Sequence, residues 1–382
     1  MIQLFYRKPC LEDKKMMKKT LSLLTLALLS SNSYAVVNGS SIDWKQHDNI
    51  VRLDGHPKWG GVTQDAKGQC TGTLISGKYV LTAAHCLKKE GNVDSITTAS
   101  GQNTPTEFTR YLAHPDYNPN EDFSNDVGFI PLNQTLQHKS IQFFSDLSRS
   151  NLSKGESINV TGFGGTATDN SPLNQANFTF DMANSAIPYS IFVNVVNDSH
   201  TTGGDSGSAW TNASNDIVAI HKGSDTSSTG SGDDYVSVRE TYGSDLHYSR
   251  DFILDTVNGW HYPTVITANG QTTITVQSLH KTTEQPDASN SAWTEGDVTL
   301  LTGQSTCLNA NITPYSKCTF VINSNGGEGV LWLSANEPIK VNAKPTVTPD
   351  EGNGSTGGSS SGGSFGLFSL LLLLGVGFKR RF

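Results

Sequence analysis

Between residues 36 and 345 the apolar positions come in short runs broken by Gly, Asn, Asp, Ser and Thr, with no sustained helical spacing. Residues 71–75 and 78–82 are two such runs around Ser76-Gly77, and the spacing predicts a hairpin whose second strand ends just before His85. Further strands are predicted at 127–132, 157–161 and 217–221. Beyond Trp260-His261-Tyr262-Pro263 the runs continue at 272–276, 298–301, 318–322 and 330–333, without any cluster of reactive side chains. This pattern predicts an all-β chain, a barrel or sandwich first and a small β-sandwich over 264–345.

The ends differ from the middle. Met17-Lys18-Lys19, the apolar stretch 21–29 and Ser33-Tyr34-Ala35 are the basic, apolar and small-residue parts of a signal peptide covering residues 1–35, with Met16 or Met17 as the initiator. Residues 346–364 form a Gly/Ser linker, 365–378 an apolar run, and Lys379-Arg380-Arg381 follow in a tail reaching 382. At about 1.5 Å per residue that run reaches roughly 21 Å, short of a hydrocarbon core of about 30 Å, so it fits transient membrane association and not a permanent span. Without residues 1–35 and the basic 379–381 the chain carries a formal charge of −15, against −8 for the whole, which repels nucleic-acid backbones. Cys70, Cys86, Cys307 and Cys318 lie in the body of the chain and Cys10 in the leader, which fits an oxidising compartment. With no Cys-x-x-Cys and no histidine cluster at ligand spacing, neither a metal nor a cofactor is expected.

Chemistry concentrates in three segments. Ser206 stands in Thr201-Thr202-Gly203-Gly204-Asp205-Ser206-Gly207-Ser208, His85 in Leu81-Thr82-Ala83-Ala84-His85-Cys86, and Asp126 follows Asn125 at the head of an apolar run. A serine hydroxyl needs an imidazole to take its proton, a carboxylate to orient that imidazole, and backbone amides for the oxyanion. The flexible glycines around Ser206 allow the amides of Gly204 and Ser206 to converge on one point.

The order His, Asp, Ser resembles the chymotrypsin/trypsin family of serine proteases. Val36-Val37-Asn38-Gly39 is similar to the family's mature N-terminus, and His114-Pro115-Asp116-Tyr117 and Gly162-Phe163-Gly164 stand at matching places. The resemblance covers about residues 36–261 and implies two six-stranded barrels with His85, Asp126 and Ser206 in the cleft between them. It implies a Cys70–Cys86 disulfide beside the histidine, leaving Cys307 with Cys318. It implies a closing helix at 251–257 with Phe252, Ile253 and Val257 buried, and a pairing of the new amino terminus at Val36 with Asp205.

His200, six residues before Ser206, is not the aspartate of a trypsin-type pocket. Thr201 and His221 instead look like the threonine and histidine with which glutamyl endopeptidases hold a Glu side chain, so the resemblance leaves Glu and Lys/Arg specificity open. The tail resembles the Gly-Gly sorting signals of Gram-negative bacteria, processed by rhombosortases near Gly362-Gly363. The implied whole is an exported endopeptidase, at the cell surface or outside it, acting on protein or peptide substrates after signal-peptidase cleavage. The alternative is an inactive protease fold that binds at a surface.

Overall fold

The Ser76-Gly77 turn sets the first barrel. Both residues have positive φ, 56° and 64°, and with Lys78, whose N–H donates to Ile75 O at 3.1 Å, they form a three-residue connection between twisted strands. They join Ala66–Ile75 to Tyr79–Thr82, with Thr73 opposite Leu81 and Ile75 opposite Tyr79. Pairing continues outward in the order Asn103–Pro105, Ser95–Thr97, Ile50–Gly55, Ala66–Ile75, Tyr79–Thr82, Gly128–Pro131, Leu112–Ala113. This computed structural model describes residues 36–56, 58–59, 62–63, 66–121, 124–164, 173–229, 236–282 and 287–344. The leader, the linker and the apolar tail lie outside the described residues.

The second sheet runs Ser40–Ile42, Leu173–Ala183, Ser157–Gly162, Ala209–Thr211, Ile217–Thr229, Val236–Asp245, Ser190–Val195. It closes through pairing of Leu173–Ala183 with Ser190–Val195, which gives a six-stranded barrel with Ser40–Ile42 added to its outside. The two barrels therefore differ. Among the described residues the end strands of the first sheet do not pair with each other, so it is a half-barrel. Val51, Leu53, Leu74, Leu81 and Phe129 fill the first barrel, and Val160, Phe178, Ile191 and Trp210 the second.

Four strands of the closed barrel, Leu173–Ala183, Ser190–Val195, Ala209–Thr211 and Val236–Asp245, were not expected from the sequence. Leu173–Ala183 carries its signal as alternation, with Ala176, Phe178 and Phe180 buried, but Asn, Gln and Thr between them break any apolar run. Val236–Asp245 has Val236, Val238 and Tyr242 among polar residues, and it pairs along its length with Ile217–Thr229 and at Thr241–Ser244 with Ser190–Val195. The expected run 217–221 extends to Thr229 in a long hairpin with Val236–Asp245. The closing helix is Arg250–Val257, ended by Asn258 at φ 38° with its N–H returning to Leu254 O. Ile253 and Leu254 are its buried residues, whereas Phe252 and Val257 are only half-buried. This corrects the expected face: the helix turns its 253–254 edge to the core, and Phe252 covers the ring of Phe129.

Beyond the barrels, two four-stranded sheets form the expected sandwich around Trp260, Tyr262, Phe320, Leu331 and Ile339. Trp260–His261, the end of the segment assigned to the barrels, pairs with Gly270–Ser278 inside this sandwich. Cys307 and Cys318 are bonded here, and Cys70 and Cys86 beside the barrel strands. Gln277 fastens sandwich to barrel. Its Nε2 donates to the carbonyls of Phe144 (2.8 Å) and Tyr315 (3.0 Å), and its Oε1 accepts from Phe144 N at 2.9 Å. His261 is buried at the same seam, accepting from Ser76 N and donating to Gln142 O, and burial holds its ring neutral with a pKa lowered to about 3.

The Cys70–Cys86 bond closes a loop of sequence separation 16 that includes the hairpin. Replacing both cysteines by alanine should lower stability by about 3 kcal/mol, measured as a shift in urea midpoint at constant slope. A variant as stable as the parent would mean that the strand pairing alone constrains this segment.

Candidate active site

The hairpin ends in a single helical turn, Ala84–Leu87, which directs the His85 ring into the cleft while Cys86 stays buried. Asp126 is fully buried, and both of its oxygens are taken by one residue. Its Oδ1 accepts from His85 N at 2.7 Å and its Oδ2 lies 2.6 Å from His85 Nδ1. The carboxylate thus fixes both the backbone and the ring of the histidine through N and Nδ1, and leaves Nε2 outside its hold. Asp126 N donates to Ser244 Oγ at 3.1 Å, which ties the strand of Ser244 to this point. Neighbouring Asn125 is held by His114 and Ser249.

The loop carrying Ser206 is pinned by its backbone. Thr71 N donates to Ser206 O at 2.8 Å, Thr71 Oγ1 to Gly204 O at 2.8 Å, and Gly207 N to His221 O at 2.9 Å. Gly204 and Gly207 have φ of 106° and 84°, and a Cβ on Gly207 would stand 2.0 Å from Thr82 Oγ1. Cys86 Sγ bridges the two halves, 3.8 Å from His85 Nε2 and 3.9 Å from Ser206 O. Among the described residues no hydrogen bond joins the Ser206 hydroxyl to His85. Such bonds commonly tighten only when substrate is present.

Asp205 lies behind the loop, fully buried. Gly164 N donates to its Oδ1 at 2.8 Å, Thr202 N to its Oδ2 at 2.9 Å, and the backbone of Val36 also bonds to it. Burial outweighs these donors and pushes its pKa up to about 7. The Gly162-Phe163-Gly164 segment exists for this carboxylate: a Cβ on Gly164 would lie 2.3 Å from Asp205 Oδ2, and one on Gly162 2.4 Å from Oδ1. Val36 is fully buried, and Val37 forms an antiparallel bridge to His200.

The specificity candidates are each engaged or enclosed by the fold. His200 is engaged by the N-terminal segment, donating its N–H to Val37 O at 3.0 Å, and its ring nitrogen meets Asp198 O at 3.4 Å. Thr201 is fully buried, and its carbonyl accepts from Ser224 Oγ at 3.1 Å and Arg239 Nη1 at 3.4 Å. His221 is buried and stacked on Trp210, and its Nδ1 has no partner. Burial, and then the charge of His85, lower its pKa to about 3, so the ring is neutral near pH 7. On the other side of His85 a cleft of about 210 Å³ is lined by Lys88, Tyr117, Ser124, Lys222 and Tyr242. Sequence reasoning missed Ser244 and Arg239, because a serine and an arginine in a polar stretch carry no local motif.

Fold and cleft together define a two-barrel protein of trypsin-like architecture. The profile of the family described as Trypsin matches residues 50–241, half of the chain, and the chain belongs to that family. It is 34% identical over 101 residues to "Cationic trypsin-3" of Rattus norvegicus, covering 25% of this chain and 40% of that protein. It is 29% identical over 158 residues to "Granzyme B(G,H)" of Mus musculus, covering 39% and 60%. The chain spans about half the length of the curated relatives it matches. Among solved structures, "Structure of Vibrio cholerae VesB protease" is similar at 17% identity and TM-score 0.43, covering 80% of this chain and 97% of that one.

Proposed function

We propose that this chain is a serine endopeptidase working through His85, Asp126 and Ser206. The observation that carries the reading is the hold of Asp126 on both the N–H and Nδ1 of His85, which leaves Nε2 on the side of the Ser206 loop. In this mechanism Nε2 takes the Ser206 proton as Oγ attacks the scissile carbonyl, and the amides of Gly204 and Ser206 receive the oxyanion. His85 then protonates the leaving amine, and water repeats the sequence on the acyl-enzyme. Digestion of a denatured protein mixture, read by mass spectrometry for the residue before each new terminus, tests this. Discrete cuts support it, and their complete absence would return the inactive surface-binding fold.

The specificity reading favours an acidic residue before the scissile bond over Lys or Arg, because the position of a trypsin-type aspartate is held by His200. Thr201 and His221 take the pocket roles here. With the imidazole neutral, the preference for Glu should stay flat between pH 6 and pH 8 when kcat/KM is measured on paired peptides. A preference that climbed as pH fell through 6.5 would restore a charged His221.

We further propose signal-peptidase cleavage after Ala35, so that export itself creates the Val36 terminus that pairs with Asp205. The sandwich over 264–345 is an accessory domain in this reading. The tail gives transient membrane attachment, with rhombosortase-type processing, in a Gram-negative bacterium. Among the described residues no helix is long and apolar enough to cross a membrane.

A further inference from the structure

The long hairpin presents an unexpected cation to the segment that leads into Ser206. Its register puts Ser224 opposite Thr241 and Thr226 opposite Arg239. Side chains alternate along a strand, so Arg239 and Thr241 share one face with Ser224 and Thr226, while the paired Asp225 and Glu240 belong to the other. The first face meets Thr201, whose carbonyl accepts from Ser224 Oγ and from Arg239 Nη1. The described side chains on this face, Ser224, Thr226, Arg239 and Thr241, are one cation and three neutral groups. Thr241 is buried, Thr201 Oγ1 is buried without a partner, and among the described residues no carboxylate pairs with Arg239. A guanidinium has five donors in a planar fork, and one long bond to a carbonyl leaves most of them for a ligand.

We propose that Arg239 is the specificity-determining residue, selecting an acidic side chain immediately before the scissile bond by pairing with its carboxylate. The inference rests on the endopeptidase reading and deepens it. His221, buried and neutral, supplies no positive charge. Lys88 and Lys222 line the cleft beside His85 together with Glu121 and Asp126, so that cleft adds no net positive charge. A substrate carboxylate brought alongside the Thr201 segment would meet the cation that the hairpin holds there. A Lys or Arg side chain there would meet like charge.

The test compares the full chain with its Arg239→Glu and Arg239→Lys variants on one denatured protein mixture, each also labelled with a fluorophosphonate probe. Arg239 is exposed, so the charge reversal leaves the core untouched. The expected result is cutting after Glu or Asp by the parent, at least about a 100-fold loss of kcat/KM at those sites in Arg239→Glu with new cuts after Lys or Arg, and retention of acidic preference in Arg239→Lys. Arg239→Glu that labels normally and keeps the parent's preference would overturn the proposal, as would a parent that cuts after basic or apolar residues. In both cases the endopeptidase reading survives. A parent that neither labels nor cuts removes that reading, and the proposal with it.

Discussion

Ser206→Ala should end covalent labelling by a fluorophosphonate probe and lower kcat for peptide hydrolysis by about 10³-fold or more, without measurable loss of stability. The two halves of this expectation have separate causes. The loop is held by backbone bonds, Thr71 N to Ser206 O and Gly207 N to His221 O, and by the conformations of Gly204 and Gly207. Removing Oγ touches none of these. Only the nucleophile is lost, while the amides of Gly204 and Ser206 remain as the source of residual rate. Labelling that persisted in Ser206→Ala would put the nucleophile elsewhere. A drop in melting temperature with lost activity would instead mean that the hydroxyl serves the fold.

The second large effect concerns Val36 and Asp205. With residue 36 joined to residue 35, Asp205 meets only neutral backbone donors, and burial raises its pKa from 3.8 to about 7. For a carboxyl whose folded pKa is raised, the linked stability is fully present below the unfolded value and is lost as pH rises through the folded value. An uncleaved chain should therefore weaken between about pH 4 and pH 7, by up to about 4 kcal/mol for a shift of this size. A free ammonium on Val36 would neutralise the ionised carboxylate and remove that loss. Urea midpoints from pH 5 to pH 8 should slope downward for a chain with a non-cleavable extension and stay level for one beginning at Val36. The extended form should also be at least about 100-fold less active, because an unpaired buried carboxylate favours rearrangement of the loop beside Ser206. Parallel pH profiles and equal activity would detach the amino terminus from this site.

Short-range signals made much of this legible. The Ser76-Gly77 hairpin follows from a turn-forming pair, with Gly77 at positive φ, between β-prone runs, and the His85 turn is the next few residues of the same chain. Asp126 was identified by its place at the head of an apolar run, and the structure has it bonded to His85 twice. The glycines of 162–164 could be noticed in the sequence as a match to a family pattern. Their cause, the carboxylate of Asp205 lying where Cβ atoms would be, needed coordinates.

What stayed hidden depends on distant partners. The strand Val236–Asp245, with Arg239, Glu240 and Asp245 in it, exists through its pairing with Ile217–Thr229 and, at Thr241–Ser244, with Ser190–Val195, and that pairing is not local. His221 reads in sequence as a histidine that would hold the substrate side chain, and burial in the closed barrel keeps it neutral. Arg239 has no motif, and only the register of the hairpin carries it to Thr201. The sequence by itself determined the β class, the order and identity of the candidate catalytic groups, and the cysteines available for pairing. These rest on residue type and short spacing. Tertiary structure alone decided how the second barrel closes, which histidines are desolvated, and which cation stands beside the Ser206 loop, because burial and long-range register are properties of the folded chain.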